Sequence, residues 1–228
     1  TLSLIFAAAI LSRWLIFFIC FVQNGGDMSF MDYIRSVFEK AGDTPHYLFL
    51  AENGYVSSGD KANLIVFYPL YPWLMRLFNL AVHDYFISGL VVSDLCFGAA
   101  SCFLFELLNM EYGRMSAIWG TILLFCAPFG LFYGAVYTES LFILLTLMTF
   151  YYIRTKKYIP AAIFGFLSCL SRTQGVILFI CAFYLLIAEL IKTKKFNTHL
   201  AICTITIPLG FIVYLLMNGV LFGNCFKY

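Results

Sequence analysis

The chain has 228 residues, of which 62% are hydrophobic and only 11% are charged, and its formal net charge is +2. Soluble domains carry roughly a quarter charged residues, so this composition excludes an ordinary soluble globule. The small net charge and the lack of a basic arm or a recognisable binding motif argue against nucleic acid as a partner. Long apolar runs between short polar breaks predict an all-α fold, a polytopic transmembrane helical bundle embedded in membrane lipids.

Seven apolar runs predict membrane spans, and an eighth run is ambiguous. The predicted spans are residues 2–22, 85–108, 116–134, 137–153, 159–171, 174–191 and 199–221. The run at 64–82 is interrupted by Pro69, Pro72 and Arg76, which favours a short interfacial or re-entrant helix over a full span. Since the chain starts at Thr1 and stops after a polar break, we expect one transmembrane domain, residues 1–228, that is the N-terminal part of a longer protein.

Basic loops predict the sidedness of these spans, because short loops rich in Lys and Arg stay cytoplasmic. Two loops carry the clearest charge: Arg154, Lys156 and Lys157 in one, and Lys192, Lys194 and Lys195 in the other. If residues 64–82 do not cross fully, four polar segments share the extracytoplasmic side: 23–63, 67–72, 137–140 and 171–175. Residues 23–63 are then a first extracytoplasmic loop that carries short interfacial helices.

The segment from Gly42 to Tyr55 places two carboxylates and a histidine in an otherwise apolar chain. Asp43 comes before Pro45 and a helix-compatible stretch, so local spacing alone favours a simple helix N-cap over a catalytic role. His46 and Glu52 fall on different faces of such a helix and need not meet Asp43. A metal site needs several converging ligands, and this spacing does not require one.

Other polar residues lie in or beside apolar runs. Glu139 and Arg172 sit at predicted span boundaries, where a charge either marks a functional path or snorkels to the interface. Arg13 lies inside the first span, where a carboxylate of the bundle is a candidate partner. Gly130 and Gly134 form a Gly-x-x-x-Gly pair that predicts close helix packing. The eight cysteines lie almost entirely in apolar runs, which favours a role as small buried hydrophobic residues.

Four segments, in the same order along the chain, resemble motifs of the PIG-V mannosyltransferase family. This family provides the second mannosyltransferase of GPI-anchor assembly. Residues 43–55 resemble the family's Trp-Asp-x-x-His-Tyr…Ala-Glu-x-Gly-Tyr segment. Residues 67–72, Phe-Tyr-Pro-Leu-Tyr-Pro, are similar to its Phe-Phe-Pro-x-x-Pro stretch. Residues 137–142 are similar to its Tyr-Thr-Glu-Ser motif, and residues 171–175 to its Arg-x-x-Gly turn. One position departs from the pattern, since Gly42 stands where the family has Trp.

This resemblance implies the GT-C glycosyltransferase fold and inverting transfer from a polyprenyl- or dolichyl-phosphate sugar donor to a glycolipid or glycan acceptor. It implies that Asp43 is the general base. The residues it implies for substrate and donor binding are His46, Tyr47, Glu52, Tyr68, Tyr71, Glu139, Arg172 and Gln174. It implies no specific cofactor, and a divalent cation, Mg²⁺ or Mn²⁺, is left open. The resemblance favours a bacterial cell membrane, or the endoplasmic reticulum membrane in a eukaryote, with the site on the extracytoplasmic or lumenal side.

The main alternative is a membrane transporter or a lipid flippase or scramblase without transferase activity. It would explain intramembrane charges and broken helices, and it predicts an internal repeat of hydropathy, which the chain does not show convincingly. A catalytically silent assembly subunit and a related enzyme with another sugar or acceptor are further alternatives that the sequence leaves open.

Overall fold

The computed structural model describes residues 1–227, which form ten α-helices and three short 3-10 helices and contain no β-strand. The α-helices are α1 (Leu2–Asn24), α2 (Phe30–Phe38), α3 (Thr44–Asn53), α4 (Leu70–Val82), α5 (Tyr85–Tyr112), α6 (Arg114–Phe125), α7 (Glu139–Arg154), α8 (Tyr158–Ser171), α9 (Ile177–Thr193) and α10 (Thr198–Phe222). The 3-10 helices are Asp60–Val66, Gly130–Tyr133 and Thr173–Val176. The predicted all-α class is confirmed.

Four helical stretches in the described residues are long and apolar enough to cross a membrane: Leu2–Asn24, Tyr85–Tyr112, Thr173–Thr193 and Thr198–Phe222. A fifth is obtained if Asp60–Val66 and Leu70–Val82 together form one broken span. The ambiguous run at 64–82 is therefore interrupted by residues 67–69, just where Pro69 removes a backbone donor. The chain is a polytopic helical membrane protein.

The predicted span at 116–134 is wrong, because α6 ends at Phe125. Pro128 follows three residues later and cannot continue a helix without losing a backbone hydrogen bond. The chain instead turns through residues 126–138, with a single 3-10 helix at Gly130–Tyr133. Hydropathy identified an apolar run there, but hydropathy does not report that the backbone of this run leaves the helical conformation.

The chain forms two compact units. The first unit contains residues 1–54 and 71–144, and the second contains residues 55–70 and 145–228, described as far as residue 227. Each unit has its own core.

In the first unit α1 packs along α5, and Arg13 of α1 is buried between them with only 1% of its surface exposed. Its guanidinium donates to the Phe125 carbonyl at the end of α6 and lies over the Phe97 ring, 5.3 Å from the centroid. No described carboxylate forms an ion pair with Arg13, so the candidate partner proposed from the sequence was wrong. The partners of the Arg13 guanidinium are instead a backbone carbonyl and the face of an aromatic ring.

The Gly130–Gly134 pair packs against this arginine rather than between two long helices. A Cβ atom on Gly130 would lie 2.2 Å from Arg13 Nη1, and one on Gly134 would lie 2.9 Å from Arg13 Cβ. The two glycines therefore let the irregular segment 126–138 approach α1 closely. Close packing was predicted correctly, but its partner is a buried charged side chain.

Short helices follow α1, as the sequence predicted for the loop at 23–63. Ser29 caps α2 by accepting the Asp32 N–H at 3.2 Å, which satisfies one donor of the first turn. Arg35 of α2 donates to the Asp84 carboxylate at 2.5 Å, and Asp84 itself caps α5 by accepting the Ile87 N–H at 3.0 Å. One carboxylate thus joins the start of α5 to α2.

In the second unit α8 and α10 approach each other closely through small residues. A Cβ atom on Gly210 would lie 2.1 Å from the Phe166 carbonyl oxygen, and one on Gly165 would lie 2.5 Å from Ile207 Cγ1. Small residues at such contacts let backbones meet and gain dispersion contacts. The buried core around them contains Ile153, Ala161, Ala162, Cys169, Leu178, Ala182, Leu186, Leu200, Ala201, Cys203 and Ile207.

Candidate functional site

Asp43 stands at the N-cap position of α3 but does not act as a capping residue. Its backbone is at φ −87° and ψ −12°, and its side chain accepts no hydrogen bond from the described residues of the first turn. A working N-cap holds extended backbone and accepts an N–H of that turn. The side chain is exposed to solvent. The capping explanation for this carboxylate therefore does not hold, and the carboxylate faces outward.

The start of α3 docks on residues 136–138 of the same unit through three polar contacts. The Asp43 N–H donates to the Tyr137 hydroxyl at 3.3 Å, and the Thr44 hydroxyl donates to the Val136 carbonyl at 3.5 Å. The Tyr47 and Thr138 hydroxyls lie 3.4 Å apart. Two segments that the sequence singled out, 43–55 and 137–142, therefore meet in the fold.

Gly42 is required by this contact. Its φ is +56°, in the left-handed region that favours glycine. A Cβ atom there would lie 1.9 Å from the Tyr137 hydroxyl oxygen, well inside van der Waals contact. A tryptophan, which the resembling family has at this position, would not fit beside Tyr137 in this arrangement. The departure at position 42 is thus explained by a neighbour that occupies the space.

Tyr71 and Ser93 extend the same cluster. Tyr71 is fully buried and packs edge-on against Tyr47 with ring centroids 5.2 Å apart. Its hydroxyl lies 3.0 Å from the Gly89 carbonyl and 2.8 Å from the Ser93 hydroxyl. Ser93 also lies 3.4 Å from the Tyr137 carbonyl, so it links Tyr71 to the segment that holds Asp43. Sequence reasoning missed Ser93, since a serine inside an apolar helix carries no local signal.

Glu139 begins α7 and is half-buried beside this cluster. The next residue, Ser140, donates to the Tyr133 carbonyl at 2.6 Å and ties the start of α7 to the preceding 3-10 helix. Burial raises the pKa of the Tyr133 phenol; the Glu139 charge raises it further, and the Arg13 guanidinium opposes both. The Tyr133 phenol therefore lies within electrostatic reach of both charges.

His46 and Glu52 occupy different parts of α3. His46 is half-buried in the first turn, where its N–H donates to the Asp43 carbonyl at 3.0 Å. Glu52 is exposed near the other end of the helix, about 13 Å from Asp43 along the axis. The Glu52 and Ala51 carbonyls accept hydrogen bonds from Arg76, which closes the end of α3. The fold keeps His46 near Asp43 and holds Glu52 apart from it.

The second unit joins the other two sequence segments. Tyr68 is buried and stacks on Tyr214 with ring centroids 4.1 Å apart. The Thr173 hydroxyl donates to the Tyr68 hydroxyl at 2.8 Å. Thr173 sits between Arg172, which is half-buried in extended backbone, and Gln174, which is exposed. Segment 67–70 and the turn at 171–175 are therefore in direct contact. Thr173 was not among the predicted site residues.

No group of three or more His, Cys, Asp or Glu side chains among residues 1–227 is arranged to hold a metal ion. The divalent cation stays a prediction that these residues do not test.

One curated protein provides a comparison. GPI mannosyltransferase 2 of Drosophila melanogaster is 25% identical to this chain over 189 residues, which cover 73% of this chain and 40% of that protein. The chain therefore spans about 40% of the length of the relative that it matches. No protein-family model matches the chain, and no solved structure matches it either. The name of the relative agrees with the family that the four segments resemble, and the similarity supports a chain that is mannosyltransferase-like.

Proposed function

We propose that this chain belongs to an integral-membrane glycosyltransferase of the GT-C type, which transfers a mannosyl group from a polyprenyl- or dolichyl-phosphate carrier to a glycolipid or glycan acceptor. The observation that carries the proposal is the contact between the start of α3 and residues 136–138. It fixes the backbone of Asp43 against Tyr137 and leaves the carboxylate exposed. The similarity to a fly mannosyltransferase supplies the class of reaction.

The reaction needs a base and a stabilised leaving group. In the proposed mechanism the Asp43 carboxylate accepts the proton of the acceptor hydroxyl while that oxygen attacks the anomeric carbon of the sugar. The bond between the sugar and the carrier phosphate breaks at the same time, and the polyprenyl phosphate leaves from the opposite face. The new glycosidic bond has inverted configuration. General base catalysis of this kind contributes about a hundredfold to ten-thousandfold in rate.

The remaining predicted residues have roles that fit their chemistry. Arg172 is proposed to stabilise charge on the departing phosphate, since a guanidinium presents paired donors to phosphate oxygens. Tyr47, Tyr68 and Tyr71, which the resemblance implies for substrate binding, are buried, so in the proposed mechanism they position the segments that carry Asp43 and Arg172. The proposed contacts of His46, Glu52, Glu139 and Gln174 are with donor or acceptor hydroxyls or the phosphate.

The decisive experiment uses full-length protein in membranes with labelled polyprenyl-phosphate mannose and related donors. We expect the wild type to consume one donor and Asp43→Asn to lose at least about a hundredfold in transfer rate. The matched control is Asp27→Asn, which removes another exposed carboxylate from the same loop and should leave the rate unchanged. Near-normal transfer by Asp43→Asn would remove Asp43 from the mechanism.

The transporter alternative rests on intramembrane charges and broken helices, and two of those charges have structural partners in the first unit. Arg13 is bonded to the Phe125 carbonyl, and Asp94 accepts the Trp14 indole N–H at 2.7 Å. A flux assay in proteoliposomes separates the two functions. Movement of labelled lipid without consumption of any sugar donor would favour a flippase over the transferase.

A further inference from the structure

The second unit has a pocket at the ends of its helices that the proposed function does not use. The pocket has a volume of about 470 Å³ and lies among the end of α7, the start of α8, the end of α9 and the start of α10. Because α8 runs from Tyr158 to Ser171, this pocket lies about 20 Å along the helix from Arg172. It is therefore distinct from the candidate site in the same unit.

The charges in the pocket favour an anion. Arg154, Lys156 and Lys192 line it, and Glu189 is the single carboxylate among its lining residues. Glu189 accepts hydrogen bonds from the neutral Asn197 amide at 3.2 and 3.1 Å. Neither Lys156 nor Lys192 has an ion-pair partner within residues 1–227. Two positive charges in excess therefore face the pocket.

The walls of the pocket are apolar. Ile153, Leu185, Ala188 and Leu200 line it below the charged rim. Ile153 and Leu200 are also part of the buried core of this unit. A ligand that satisfies both parts has an anionic head for the lysines and a hydrocarbon portion for the wall.

We propose that this pocket binds the phosphate head group of an anionic phospholipid, with the first part of an acyl chain against its apolar wall. Basic pockets between transmembrane helices on the side with the Lys- and Arg-rich loops are suited to such head groups. The phosphate is the shared chemistry of a lipid head group and a soluble phosphate compound. The apolar wall commits the pocket to the lipid.

The test measures thermal unfolding of the full-length protein in a neutral detergent while one of three probes is added. The probes are dioleoylphosphatidylglycerol, dioleoylphosphatidylcholine and sn-glycerol 3-phosphate. We expect the first to raise Tm more than the other two, because a ligand that binds the folded state stabilises it. An equal effect of the zwitterionic lipid would overturn the proposal, and an equal effect of glycerol 3-phosphate would overturn its lipid part.

Two pairs of substitutions place the effect in the pocket. Lys156→Gln with Lys192→Gln removes two exposed charges from the rim and should raise the half-saturating concentration of phosphatidylglycerol about tenfold or more. Lys194→Gln with Lys195→Gln removes the same charge from exposed residues of the adjoining loop outside the pocket lining, and should leave that concentration nearly unchanged. If both pairs weakened phosphatidylglycerol binding equally, the binding would reflect general charge attraction, and the proposal that the lipid occupies this pocket would be wrong.

Discussion

At the scale of single residues, position 42 sets how closely α3 approaches Tyr137. We expect Gly42→Ala to lower the transfer rate by on the order of a hundredfold, because the added methyl displaces Tyr137 and shifts Asp43. The matched control is Gly26→Ala, which has the same φ of +56° but open space around the added methyl. Both variants share the backbone strain of an alanine at positive φ, but only Gly42→Ala collides with Tyr137. A difference between their transfer rates therefore measures the effect of the collision.

The same contact can be tested by a double-mutant cycle. Tyr137→Phe removes the hydroxyl oxygen, after which the nearest ring atom lies 3.2 Å from the Cβ built on Gly42. The double variant Gly42→Ala with Tyr137→Phe should therefore recover part of the rate lost by Gly42→Ala alone. Strictly additive losses would mean that the two residues do not interact.

Arg172 is the second residue whose chemistry can be isolated. Arg172→Lys keeps the positive charge but loses the paired donors, so the apparent affinity for the polyprenyl-phosphate donor should fall by about tenfold. Arg114→Lys is the control, since Arg114 is an exposed arginine at the start of α6. Unchanged donor binding by Arg172→Lys would count against its proposed contact with phosphate.

At the scale of helices, the junction between α2 and α5 depends on the charge of Asp84. Burial works against this carboxylate, but the Ile87 N–H and the Arg35 guanidinium outweigh it and lower the pKa of Asp84 below its ordinary value. The lowered pKa means that the folded state prefers the ionised carboxylate. Its stabilisation is therefore full above the unfolded pKa of about 4 and is lost as pH falls through the folded pKa.

We expect Asp84→Asn to flatten the acid limb of the stability curve. Asparagine also caps helices, so the variant keeps the cap and loses the charge. Since about a third of each side chain is exposed, the pair contributes no more than about 1 kcal/mol. Tm measured from pH 7 to pH 3 for the wild type, Asp84→Asn and the control Asp27→Asn checks this. If the Tm of Asp84→Asn fell at low pH as steeply as that of the wild type, the acid sensitivity would belong to other groups.

At the scale of the whole molecule, the basic loops predict which side of the membrane each end of the second unit faces. Cysteines introduced one at a time by Lys157→Cys and Lys194→Cys should react with a membrane-impermeant thiol reagent from the cytoplasmic side. The cysteine of Ser58→Cys should react from the opposite side. All three positions are exposed, so the reagent can reach them. Labelling of Ser58→Cys and Lys157→Cys from the same side, above the wild-type background, would overturn the predicted topology.

Much of the fold followed from the sequence, because helix formation and burial in a bilayer depend on local hydropathy. α1, α5, α9 and α10 lie close to the apolar runs that predicted them. The prolines of the run 64–82 predicted an interruption there, and the helix is broken at residues 67–69. The span at 116–134 failed because hydropathy does not report whether an apolar backbone stays helical.

The sequence by itself determined that this is a polytopic helical membrane protein and which polar segments are candidates for its chemistry, since composition, spacing and order along the chain are local properties. Only the tertiary structure decided which segments touch. Asp43 meets Tyr137 across 94 residues, Thr173 meets Tyr68 across 105, and Arg13 meets Phe125 across 112. Such contacts depend on how helices pack, and a single sequence contains no local pattern that specifies them.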